Sequence, residues 1–138
     1  ICILINTSGG PQGPDRKHYF ANAGSDNMPE YIRQGYEYYI IDGGSEFYRI
    51  RREFLRCDRK LILVSLSPWK RKELEYFMSV IWEEEKYLDN VTFLAQFGMK
   101  KDKKDFQKQY RIPIHTLPFM EDPLHLKEAE RLFLKTLV

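Results

Sequence analysis

The sequence predicts an α/β protein with a doubly wound, mostly parallel sheet and helices on both faces. Three observations carry this. Residues 38–41 and 61–66 are apolar runs too short for a helix, rich in β-branched or aromatic side chains, and each stops at small or acidic residues. Buried parallel strands read this way. The stretches that follow them place apolar residues at helical spacing, as in Phe47, Ile50, Phe54 and Leu55. This alternation of strand and helix continues to the end of the chain, and such alternation favours parallel strands joined by right-handed crossovers.

In order, residues 1–5 form a continuous apolar strand that ends at Asn6-Thr7-Ser8-Gly9-Gly10. Residues 9–16 are rich in glycine and proline and read as a loop, and residues 17–21 as a short edge strand. Pro29 opens a short helix over 30–33, with Asp26 or Asn27 as cap and Gly35 as its stop. A strand follows at 37–41. The helix over 45–56 has Ser45 as its expected cap and Glu46 in its first turn, where a negative charge suits the helix dipole.

Residues 60–66 form the next strand. A long amphipathic helix over 69–87 turns Leu74, Phe77, Met78, Ile81 and Trp82 inward, and Trp69 reads as a staple of its start onto the sheet, with a roof over a ligand cleft as the second reading. A strand at 91–97 precedes a lysine-rich stretch with a short helix at about 103–109. The strand at 112–117 contains Pro113, which places it at the sheet edge or places the proline at the strand start. The last helix spans about 123–136, with Leu126, Ala129, Leu132 and Phe133 as its apolar face.

A chain of 138 residues fits one domain, and 43% hydrophobic content supplies a core. No apolar run approaches the roughly 18 residues of a membrane span. A net charge of +2 is too weak to argue for nucleic acid by itself. Cys2 and Cys57 have no metal-like spacing and read as reduced thiols of a cytoplasmic protein. His18, His115 and His125 have no partner at ligand spacing. The lysines at 100, 101, 103, 104 and 108 are interleaved with acids and glutamines, which reads as a solvated face; a contact to a nucleic-acid backbone is the sharper alternative.

In open α/β sheets, ligands bind at the carboxy-terminal ends of the strands. Asp42 ends one of them and is the first candidate for chemistry. The bland alternative is that its carboxylate caps the next helix or solvates the loop. Gly43 and Gly44 suit a tight turn, with a phosphate-binding nest as the second reading.

Four segments together, Tyr-Glu-Tyr-Tyr-Ile-Ile-Asp-Gly-Gly, Lys-Leu-Ile-Leu-Val-Ser-Leu-Ser-Pro-Trp, Val-Thr-Phe-Leu-Ala-Gln-Phe and Ile-Pro-Ile-His-Thr-Leu-Pro-Phe, resemble in order and spacing the ParA/MinD-type P-loop ATPases of the SIMIBI class. The resemblance implies a Rossmann-like, three-layer P-loop NTPase fold. It makes Asp42 the Walker B-like aspartate, holding magnesium through its water shell. It puts Asn6 where the family usually has an aspartate, Gly43 beside the phosphates, Gln96 where the adenine edge is read, and Pro118 and Phe119 along the base. It also implies ATP and Mg2+ as cofactors of the full-length protein. The phosphate-cradling signature GxxxxGK[ST] does not occur in this sequence. The opening Ile-Cys-Ile-Leu-Ile, already in a strand, suggests a piece of a longer protein whose P-loop lies upstream.

Three readings of function follow. The first is a ParA/MinD-like nucleotide-binding regulatory domain, inactive as an ATPase in this form and binding no nucleotide tightly. The second is a non-catalytic interaction scaffold for a protein partner or a second copy. The third is a receiver-like phosphoacceptor domain with Asp42 as the modified residue; the absence of an acid pair at Asn6-Thr7 speaks against it.

Overall fold

The computed structural model describes residues 2–7, 27–36, 38–82, 90–122 and 124–137. The loop expected at 9–16, the edge strand expected at 17–21 and the expected end of the long helix at 83–87 lie outside them. The architecture is mixed α/β, arranged as two compact units, Cys2–Lys60 and Leu61–Val138.

In the first unit, β1 (Cys2–Thr7) pairs with β2 (Tyr38–Asp42), and α1 (Met28–Ile32) and α2 (Phe47–Arg56) complete it. The pair is antiparallel, with Ile3 opposite Asp42 and Asn6 opposite Tyr39. This corrects the expectation of a buried parallel strand here. Along β2, Tyr39 is 8% exposed whereas Ile40 is 72% exposed, so the strand has one covered face. Antiparallel pairs can leave a face to water; an unbroken apolar run hides that alternation, because both faces carry apolar residues.

Tyr39 ties the unit together through its polar tip. Its hydroxyl accepts the Tyr36 N–H at 2.9 Å and donates to the Ile32 carbonyl at 3.0 Å, which anchors the end of α1. Pro29 sits in the first turn of α1, where a missing N–H does no harm, and Gly35 follows at φ +73°. α2 starts two residues later than expected, with Glu46 rather than Ser45 at its cap and no side-chain cap bond. What holds α2 is its buried face: Phe54 is 0% exposed and meets Phe47 edge-on at 5.1 Å. The backbone of α2 packs against that of β1.

β3 (Arg59–Ser65) leads into the second unit. A single 3-10 turn (Pro68–Lys70), α3 (Arg71–Trp82), β4 (Val91–Phe97), α4 (Lys100–Tyr110), β5 (Ile114–Thr116) and α5 (Glu128–Lys135) follow. Here the strands stand in the order β3-β4-β5. β4 and β5 are parallel, Phe93 opposite Ile114 and Ala95 opposite Thr116. The Leu66 N–H, just past β3, donates to the carbonyl of Phe97, the last residue of β4, at 3.0 Å. Neighbouring strands whose carboxy ends meet run the same way, so β3 and β4 are parallel too. Pro113 immediately precedes β5, where a strand needs no N–H from it.

The core of this unit is made by Ile62, Val64, Met78, Ile81, Phe93, Leu94, Phe106 and Ile114, all buried. Two expectations for α3 fail. Trp69 is 80% exposed rather than a staple, and Trp82 is 41% exposed, while Val80 is buried. α4 begins earlier than expected because Asp102 accepts the Met99 N–H at 2.7 Å, satisfying a donor at the helix start. In α5, Leu132 is 66% exposed and Glu130 is buried. The Glu130 carboxylate reaches back to the Lys127 N–H at 2.8 Å, so burying it leaves no orphan at that oxygen.

Candidate functional site

The residues expected to handle phosphate and magnesium do not converge. In the antiparallel register, Asp42 stands opposite Ile3 and Asn6 opposite Tyr39. Three residues of strand, roughly 10 Å, therefore separate the two positions. A parallel arrangement would have brought both strand ends to one rim. The Asp42 carboxylate is also engaged in its own loop, where Oδ1 accepts the Gly44 N–H at 2.9 Å and closes an Asx turn. Gly44 supplies the positive φ, +60°, that this turn uses, and Gly43 is buried beside it. The turn reading of Gly43 and Gly44 is the one this geometry supports. Asn6 and Asp42 therefore do not fit a shared magnesium site.

Gln96, Pro118 and Phe119 fare differently. Parallel pairing puts the ends of β4 and β5 at one rim, and the Leu117 N–H extends the ladder to the Ala95 carbonyl at 2.9 Å. Gln96 is exposed, Pro118 is half-buried, and Phe119 is 88% exposed. The register brings Gln96 and Pro118 to the same edge, while the Phe119 ring points to solvent rather than forming a wall.

A concavity of the second unit lies between α3 and α4. A recess of about 110 Å³ opens beside the end of β3, lined by Ser67, Arg71, Glu75, Asp105 and Tyr110 among others. It continues into a shallow trough of about 620 Å³ whose walls include Met78, Trp82, Gln109 and Tyr110. Aromatic rings connect this surface to the core. Phe93 packs on Phe106 at 5.8 Å, Phe106 on Tyr110 at 4.9 Å, and Tyr110 on Trp82 at 6.4 Å. Buried Phe93 and Phe106 thus hold the Tyr110 ring in place at the surface.

The electrostatics of the recess are lopsided. Glu75, Asp102 and Asp105 line it, against one cation, Arg71. Arg71 is already engaged, its Nε donating to Glu75 Oε1 at 3.1 Å. Burial pushes the Tyr110 hydroxyl above its usual pKa, with Glu75 adding to the effect and Arg71 opposing it. Ser65 donates to Ser67 Oγ at 3.1 Å, and Ser67 is buried. Among the described residues, no histidine lines the recess.

Sequence reasoning missed this groove. Its signal is a second face on α4: Asp102, Asp105, Phe106, Gln109 and Tyr110 recur at spacings of three and four. That spacing becomes meaningful only once α3 is known to lie opposite.

Among the described residues, no group of three or more histidine, cysteine or acidic side chains is placed to hold a metal ion. No helix among the described residues is long and apolar enough to cross a membrane. No family model matches the chain, and no curated protein or solved structure matches it either.

Proposed function

We propose that this chain is a non-catalytic interaction module, an α/β scaffold that acts through its surface by binding a protein partner. One observation carries this reading: Asp42, the acid best placed by sequence for nucleotide chemistry, is committed to the Gly44 turn and stands roughly 10 Å along the strands from the register position of Asn6. The missing GxxxxGK[ST] in the sequence agrees with it. The test is a thermal-shift titration with ATP and Mg2+. The expected result is an unchanged midpoint, since a ligand stabilises only a state that binds it. A concentration-dependent rise in the midpoint would overturn this reading.

A second reading is favoured by the shared edge of Gln96 and Pro118. It is the ParA/MinD-like nucleotide-binding regulatory domain, doubly wound, with ATP and Mg2+ held only when a P-loop is supplied by residues beyond this sequence. It is distinguished in a protein that carries such a P-loop: an ATP-induced rise of the midpoint there, reduced by Gln96→Ala, favours this reading, and no rise counts against it.

A further inference from the structure

We propose that the groove between α3 and α4 docks a basic segment of a protein partner, with an arginine side chain entering the recess beside Tyr110, Glu75 and Asp105. This inference rests on the interaction-module reading and names the chemistry of the partner.

Charge complementarity selects the occupant. The chain as a whole is slightly positive, at +2, yet the recess has three carboxylates and one guanidinium. The one guanidinium is bound to Glu75, and Asp102 is bound to the Met99 N–H. Asp105 is exposed and makes no hydrogen bond or ion pair among the described residues. An arriving cation therefore meets acceptor capacity that no described residue uses. A negatively charged partner would meet repulsion at the same place.

Shape and surface chemistry narrow the choice to arginine. Tyr110 and Trp82 line the trough, and the stack behind them keeps Tyr110 in position. A planar guanidinium can stack on such rings while its fork of N–H groups reaches carboxylates. Half-buried Leu74 lines the recess and offers an apolar wall for the aliphatic stem of the side chain. The recess holds one side chain, and the open trough beside it leaves room for a chain to continue.

The experiment measures fluorescence anisotropy of a labelled hexa-arginine peptide against the full chain, at low and at physiological salt. The double variant Glu75→Gln, Asp105→Asn is compared with Glu121→Gln, Glu128→Gln, which makes the same change in net charge at exposed residues of the same unit that do not line the groove. The groove assignment predicts about tenfold weaker binding for the first pair and little change for the second. Tyr110→Leu, at unchanged charge, should also weaken binding, and circular dichroism checks that each variant is folded. Equal weakening by both double variants would mean diffuse attraction and overturn the assignment, as would no binding at all. Competition by spermidine as effective as that of unlabelled peptide would also overturn it, in favour of a small polyamine. These failures remove the groove alone. The interaction-module reading falls separately, to a thermal shift with ATP.

Discussion

Gly98 approaches Leu66 so closely that a β-carbon on the glycine would lie 2.7 Å from the Leu66 β-carbon. The contact sits where the ends of β3 and β4 join, next to the Leu66 to Phe97 hydrogen bond. Gly98 also has φ +133°, a conformation in which L side chains are strained. Two independent reasons thus demand glycine at the lip of the groove.

Gly98→Ala should destabilise the protein by about 1–3 kcal/mol, because a methyl group must displace the backbone of one strand end. Urea unfolding measures it. A variant as stable as the parent would show that the strand ends do not approach in this way.

Asp42 supplies an acceptor to its turn. Asp42→Asn keeps an acceptor oxygen and should leave stability nearly unchanged, whereas Asp42→Ala loses the bond to Gly44 and should cost about 0.5–1.5 kcal/mol. Chemical denaturation of the two variants side by side checks the order. If both lose the same stability, the charge matters and the turn account is wrong.

Burial raises the Cys57 thiol from 9.0 to about 11, against the lowering influence of nearby Lys60. The folded state therefore holds this proton more tightly than the unfolded chain does. The associated stability is fully present below pH 9.0 and is lost as pH rises through about 11. In a Cys2→Ser background, iodoacetamide should label native Cys57 far more slowly than the urea-unfolded chain at pH 8, because the thiolate is the reactive species. Equal rates in the two states would contradict the burial.

Asp122 is held below the usual carboxylate range, chiefly by its 2.7 Å hydrogen bond with His125 and then by the Leu124 N–H. Its folded pKa lies below its unfolded one, so the contribution is present above the unfolded value and fades as pH falls through the folded value. Carboxyl NMR titration should show the Asp122 midpoint moving up in His125→Ala. A midpoint that stays put would leave the imidazole with no part in the shift.

Much of the fold is legible in the sequence. The strand at 91–97 is found at Val91–Phe97, because an apolar run bounded by Asn90 and Gly98 leaves little choice of secondary structure. Pro113 marks the start of β5 for the simple reason that it lacks an N–H. Helix ends are harder to read. The Ser45 cap yields to Glu46, since tertiary packing of Phe47 and Phe54 decides where α2 begins. The buried Glu130 is invisible to hydrophobic patterning, because its burial depends on one backbone N–H three residues back. Of the candidate site, the sequence puts Gln96 in the strand at 91–97, but it missed the α3–α4 groove.

Among the described residues, the sequence by itself determined where most strands and helices lie, since apolar spacing and the glycines and prolines between runs act locally along the chain. Only the tertiary structure decided that β2 runs antiparallel to β1 and that α4 sets Asp105 and Tyr110 facing α3. Strand direction and helix facing depend on contacts between residues far apart in the chain, and periodicity within a single element contains no information about its neighbour.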